Sequence, residues 1–441
     1  MSWPLKYIHA MCEQLEDDSD PATMQLLGCG AERLESLRTI ARQLVAEGGT
    51  SSQWSCEGLK ALIDLSYERM SHVSGQSCWH RLFTDACILH SLAGLEPSSA
   101  PMAIDYLDRA VIIAGAVGEG RLDLIQSLIP KIQSEYLSFS ASECQLTPNS
   151  DPSNCPTSEP VNLSLSTALH TILCLDDPPS FVTFQTRYFC QPFILRNYAR
   201  NWPAINEHPW SSAEYLRAVA GPARIVPVEV GEDYRTDDWS QRLISWDKFL
   251  SSLRLKGQIP VDQKDVLYLA QHNLFTQFPK LKEDIIVPDY VYACLSATPD
   301  YPDYQPPTND EQLVLNGWLG PQGTISPAHT DPYYNIFVQV VGRKSVWLAP
   351  PTLSKYMYSY AGQQSKNPAA NTTNPLMSNT SQVDVFSDGN GDREQHPEFW
   401  TEVVPQAICA TLASGDLLFV PPGWWHAMRA EETSFSVSMW F

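Results

Sequence analysis

The sequence predicts an α+β protein: an N-terminal all-helical domain followed by a double-stranded β-helix, the jelly-roll arrangement. Three observations predict it. Apolar residues recur at three-to-four spacing from the start to about Lys131, which gives helices with one buried stripe. Residues 138–166 then turn rich in Ser, Pro, Thr and Asn, and the periodicity vanishes. Beyond them, short apolar runs alternate with Gly and Pro punctuation to the last residue, as in a barrel or sandwich. The expected division is therefore a helical domain over 1–137, a linker over 138–166 and a β domain over 167–441.

Composition supports this and excludes some functions. With 441 residues, 43 % of them hydrophobic, the chain can fill more than one core. Thirteen Trp and 34 Pro favour a turn-rich β component over an all-helical protein. A formal net charge of −21 opposes direct binding to nucleic acid or to an anionic membrane, and suits a basic peptide partner. The eleven Cys form no CxxC pair, and the first residues lack the basic start and apolar core of a signal peptide. Reduced thiols and a nuclear or cytoplasmic location are the expectation. The most apolar short run, AVIIAGAV, is too short to span a bilayer.

Taken in order, AERLESLRTIARQLVAEGG places Leu34, Leu37, Ile40, Ala41 and Leu44 on one stripe and stops at Gly48-Gly49, a helix-ending residue type. Similar stripes recur in EGLKALIDLSYERM, HRLFTDACILHSLAGL, AIDYLDRAVIIAGAV and RLDLIQSLIPKI, with Pro101 placed to open the fourth helix. Five or six antiparallel helices are expected, a bundle that supports or docks. The Ser/Pro-rich linker is expected to be a disordered tether. After it, FVTFQTRYFCQPFILRNYARNWPA reads as strands broken by turns, and ARIVPVEVG alternates as a strand. SWDKFLSSLRL reads as a helix and DVLYLAQHNLF as a strand and turn. The jelly-roll strands follow in LVLNGWLGPQGTISPAHTD, NIFVQVVGRKSVWLAPP, GDLLFVPP and SFSVSMWF, with the polar residues 359–392 as a long surface insertion.

The chemistry is concentrated in two places. His329-Thr330-Asp331 puts an imidazole and a carboxylate at i and i+2, which project to the same face of a strand. His426 follows an apolar strand and a proline turn, among Trp424, Trp425 and Met428. Two His and one carboxylate with no Cys nearby fit the facial triad that holds Fe(II) and leaves positions open. Each signal has a plainer alternative. An HxD triplet arises by chance, and His426 alone reads equally as a core histidine with one hydrogen bond. Lys344 opens SVWLAP, a strand that ought to be buried, where an isolated charge is costly, so an anionic co-substrate is the partner it calls for. Taken alone, it could be a solvated turn residue. With three ligands on one face, a 2-oxo acid can chelate through its keto oxygen and first carboxylate, leaving one position for O2. Oxidative decarboxylation then yields succinate and an oxidant able to take hydrogen from an unactivated C–H bond, in a barrel that keeps water out.

His329-Thr330-Asp331, Asn335, the GRK ending at Lys344, NTSQVDV beginning at Asn379, and the closing WHxxRA and SFSVSMW together resemble the Jumonji-C (JmjC) oxygenases, whose fold is cupin-like. More narrowly they resemble the branch of Jumonji domain-containing protein 5. The likeness runs from about Phe181 to the end, and the helical N-terminal region matches the branch in layout. The resemblance implies that His329, Asp331 and His426 bind Fe(II), and that Lys344 pairs with the distal carboxylate of 2-oxoglutarate. It implies further co-substrate contacts at Tyr268, Ser326, Asn335 and Trp440, with Trp318 lining the same pocket. On the substrate side it matches Glu229 and Trp239 to positions that hold an arginine side chain. A carboxylate can grip a guanidinium bidentately and an indole can stack on it, although Glu229 also reads as an exposed strand end and Trp239 as core.

The function expected is an Fe(II)- and 2-oxoglutarate-dependent dioxygenase, a JmjC protein hydroxylase acting on an arginyl residue. Its substrate would be an intracellular protein or peptide, histone or ribosome-related proteins included. The alternatives are a histone lysine demethylase of the same mechanism and a catalytically inactive Jumonji-fold binding module. A zinc hydrolase fits less well, because no carboxylate is placed as general base beside a bound water.

Overall fold

The computed structural model describes residues 2–72, 77–137, 165–231, 234–235, 239–261, 265–360, 377–387 and 392–441. The expected linker lies outside the described residues apart from its last two. Among the described residues the N-terminal part forms α1 (Trp3–Glu16), α2 (Pro21–Leu26), α3 (Ala31–Ala46), α4 (Gln53–His72), α5 (Ser77–Leu92), α6 (Ala100–Ala114) and α7 (Arg121–Tyr136). Seven helices stand where five or six were expected, because α1 and α2 are separated by only a short turn. Asp20 separates them by capping α2, accepting from the Ala22 N–H at 3.1 Å. Pro101 sits in the first turn of α6, as its fixed φ favours.

α5 is buried on nearly every side and forms the centre of this bundle. Its charged residues are paired within the core: Asp85 accepts from Arg81 at 2.8 Å and from Arg121 at 2.6 Å. The helices group into one compact unit together with two later stretches, Arg217–Pro227 and Leu243–Lys248. Arg224 ties the first stretch to α6 through a buried bidentate pair with Asp108, at 2.7 Å for the shorter contact. The division near residue 167 remains our proposal for the main boundary, with these two stretches as additions.

The second unit opens with β1 (His170–Thr171), β2 (Leu173–Leu175) and β3 (Phe193–Leu195), followed by β4 (Ile225–Val230), β5 (Ser240–Ser245) and β6 (Leu267–His272). Then come β7 (Val314–Gly320), β8 (Ile325–Thr330), β9 (Asn335–Val341) and β10 (Lys344–Ala349). β11 (Ile408–Leu412), β12 (Leu417–Val420), β13 (Trp425–Ala430) and β14 (Ser434–Trp440) complete the set. One sheet runs β1-β11-β10-β13-β8, the other β2-β3-β12-β9-β14-β7-β6-β4-β5. Within them, β7–β14 form two four-stranded antiparallel halves, β11-β10-β13-β8 and β12-β9-β14-β7. This is the double-stranded β-helix expected from the sequence. The alternation of β10 shows how it is filled. Val346 and Leu348 join the core between the sheets, while Trp347 and Ala349 join a second core on the outer face.

Two local expectations are corrected. FVTFQTRYF is helical over Phe181–Tyr188, started by Ser180, whose hydroxyl accepts from the Thr183 N–H. Its aromatic residues read as strand, but Phe184 packs instead against Phe193, Tyr290 and Phe419, and that burial decides. The 359–392 insertion is not all surface. Residues 377–387 pack onto the sheet, with Val383 and Val385 in the outer core; residues 361–376 and 388–391 lie outside the described set.

Candidate active site

β8 and β13 pair so that His329 and His426 stand opposite one another, their ring centroids 4.2 Å apart. Asp331, just beyond β8, brings one carboxylate oxygen to 3.4 Å from His426 Nε2 and the other to 3.9 Å from His329 Nε2. One ligating atom from each of the three lies within 4.8 Å of the others, a spacing that could hold a metal ion. Both Nδ1 atoms face backbone carbonyls, of Pro327 at 2.7 Å and of Trp424 at 3.0 Å. A carbonyl only accepts, so Nδ1 carries a proton in each ring and Nε2 is the atom turned towards Asp331 and left to serve as a donor to a metal.

The electrostatics agree with a donor set. Burial, helped by the neighbouring His426 charge, pushes His329 down to about 4, so its ring is neutral near pH 7. Burial alone would raise Asp331, but the hydrogen bond and charge of His426 more than offset it and keep the carboxylate ionised. Burial likewise opposes charge on His426, and Asp331 reverses this, raising the imidazole above its ordinary value.

These residues line a small cavity of about 20 Å³. Its polar lining includes Tyr268, Ser326, Asn335 and Lys344, and Trp318 forms part of its wall. A bulge explains how Ser326 reaches it. On β13, His426 and Met428 are two apart, while their partners on β8, His329 and Ser326, are three apart. The extra residue at Pro327-Ala328 flips the alternation, so both partners face inward.

Lys344 enters from the far side, at the start of β10. The turn before it needs Gly342, whose φ is +73° and whose Cβ, if present, would lie 2.1 Å from the Thr433 carbonyl oxygen. Lys344 is 2 % exposed, and its ammonium lies 3.3 Å from the Tyr268 hydroxyl, over the rings of Tyr268 and Phe337. Burial alone lowers it to about 7, with no carboxylate among the described residues to hold the charge. The Tyr268 phenol is driven well above its usual value, by burial first and then by the Glu229 charge, against a hydrogen bond with Ser326. It therefore stays protonated.

Asn335 Oδ1 is buried without a partner in this cavity, and the indole N–H of Trp440, its cross-strand neighbour, is likewise buried without one. A buried ammonium with no anionic partner among the described residues fits a carboxylate-bearing guest. Trp440 itself stands outside the lining, its ring tilted against that of Tyr333 with centroids 5.7 Å apart. Trp318 is fixed by its indole N–H donating to Ser438 Oγ at 2.9 Å. Glu229 and Trp239 lie outside the lining too. Glu229 is the strand partner of Tyr268, and Trp239 has a buried indole N–H without a partner.

Three lining residues escaped the sequence reading: Phe337, Met428 and Ser438. Strand alternation could have found the first two, since they follow Asn335 and His426 by two positions.

Comparison with known proteins places this architecture. The family model described as a cupin-like domain matches residues 183–441. Lysine-specific demethylase 8 of Danio rerio is 32 % identical over 397 residues, covering 88 % of this chain and 87 % of its own length. Jumonji C domain-containing protein 5 of Drosophila melanogaster is 38 % identical over 268 residues, 60 % of this chain, and the chain spans 58 % of that protein's length. The bifunctional peptidase and (3S)-lysyl hydroxylase JMJD7 of Homo sapiens is 24 % identical over 283 residues, 60 % of this chain and 83 % of its own length. With a jelly roll that carries a His-Asp-His set, the chain belongs to the cupin-like Jumonji-C oxygenases, in the branch of lysine-specific demethylase 8 and Jumonji C domain-containing protein 5.

Proposed function

We propose that this chain is an Fe(II)- and 2-oxoglutarate-dependent protein hydroxylase that acts on an arginyl residue. The observation that carries the reading is the meeting, in one cavity, of a His-Asp-His set with a buried Lys344 that has no anionic partner among the described residues. His329, Asp331 and His426 are the proposed ligands. Iron bound there would supply the site at which 2-oxoglutarate and O2 meet and the 2-oxo acid is decarboxylated to succinate.

The chain's own residues do the rest. Lys344 and Tyr268 hold the distal carboxylate, one by charge and one by a phenol that remains a donor. Ser326, hydrogen-bonded with Tyr268, adds a hydroxyl beside them, and Asn335 contributes its side-chain amide to the same lining. Phe337 and Met428 form an apolar wall that excludes water. On the substrate side, the carboxylate of Glu229 and the indole of Trp239 suit a planar guanidinium, which one can grip and the other stack upon.

A second reading is lysine demethylation, favoured by the names of relatives such as lysine-specific demethylase 8. Mass spectrometry of candidate peptides after incubation with iron, ascorbate and 2-oxoglutarate distinguishes them. One added oxygen on arginine is expected, absent with Asp331→Ala. Loss of methyl groups from lysine alone would select demethylation. Succinate release no greater than that of Asp331→Ala would leave only the inactive binding module.

A further inference from the structure

β8 ends its sheet, so its outer edge would leave peptide groups open. Residues 379–381 cover that edge beside the proposed ligands. Thr380 bridges His329 in antiparallel fashion, and the Ser381 N–H donates to the Ala328 carbonyl at 2.8 Å. The Thr330 N–H donates to the Asn379 carbonyl at 3.1 Å, and Asn379 Nδ2 donates back to the Thr330 carbonyl at 2.7 Å. One residue thus holds both backbone polar groups of Thr330, which stands between His329 and Asp331. On the other side, the Asp331 carbonyl accepts from the Gly423 N–H at 2.8 Å.

The clamp has a firm base. Thr380 and Ser381 are buried, and Ser381 Oγ accepts from the Val383 N–H at 3.0 Å while donating to the Met357 carbonyl. The Asn379 side chain is itself exposed, so truncating it removes no core contact.

We propose that Asn379 is a positioning residue of the metal site. By fixing the Thr330 peptide groups, it sets the spacing of His329 Nε2 and the Asp331 carboxylate. A change of a few tenths of an ångström there alters how well three donors meet one ion. This rests on the reading of His329, Asp331 and His426 as ligands.

The test is titration with Mn(II) alone, read as free Mn(II) by electron paramagnetic resonance, alongside thermal melts of each protein. Wild type should bind one equivalent and Asp331→Ala none. Asn379→Ala should melt as wild type does but bind about tenfold more weakly. Asn379→Gln, which keeps an amide donor, should recover part of the affinity. Unchanged affinity in Asn379→Ala, with Asp331→Ala still inactive in binding, overturns the positioning role and leaves the ligand reading intact. Weakened binding together with a lowered melting temperature, and no recovery by Gln, marks a merely structural residue and also overturns it. If wild type binds no Mn(II), or Asp331→Ala binds equally, the ligand reading fails and the positioning role with it.

Discussion

Lys344 shows how much a single buried charge determines. Burial holds its amine near 7 in the folded chain, while in the unfolded chain it keeps its proton to about 10.4. Between those values the unfolded state binds the extra proton, so this group makes the folded protein gain stability as pH rises through that window. A dicarboxylate bound beside it favours the ammonium and takes the proton back. Binding of 2-oxoglutarate at pH 8 should therefore absorb close to one proton, seen by calorimetry as an enthalpy that varies with the buffer's own ionisation enthalpy. At pH 6 the dependence should nearly vanish. Lys344→Met should abolish it and weaken affinity roughly 10- to 100-fold, as expected for a lost charged hydrogen bond. An enthalpy at pH 8 independent of buffer would argue against Lys344 as the anchor. At this scale much was legible: His329 and Asp331 share a face by strand periodicity alone. Ser326 reaching the same face was not, because it depends on an extra residue in β8 that only the pairing with β13 reveals.

The elements around the site are short, and their connections place the chemistry. Gly342 allows β9 to turn straight into β10, so that Lys344 begins inside the barrel and not on a loop. Gly342→Ala would combine a positive φ with a clash against the Thr433 carbonyl, costing roughly 2–4 kcal/mol. A urea-unfolding midpoint should fall accordingly, and 2-oxoglutarate affinity with it; an unmoved midpoint would mean the turn has room that the Thr433 contact denies. The sequence marked this turn correctly through its Gly. It misled at Phe181–Tyr188, where aromatic residues suit strand and helix alike and tertiary packing chose. It misled again at 377–387, whose polar composition hides two buried valines and the edge contact to β8.

For the molecule as a whole, the α+β division and the jelly roll were legible because helical and strand periodicities differ so plainly on either side of residues 138–166. The membership of Arg217–Pro227 in the helical unit was not. It rests on distant partners: Arg224 with Asp108 across 116 residues of sequence, and Gln133 donating to the Ala220 and Pro222 carbonyls. No local pattern announces such a partner. The same holds for the meeting of His426 with His329 and Asp331, which strand order alone produces. The central claim is that this meeting point binds a metal and a 2-oxo dicarboxylate together, and diffraction from crystals grown with Mn(II) and 2-oxoglutarate tests it most directly. The expected result is one manganese within roughly 2.0–2.2 Å of both Nε2 atoms and an Asp331 oxygen, with the distal carboxylate against Lys344 Nζ. Manganese bound elsewhere, or a carboxylate that leaves Lys344 untouched, would contradict the account.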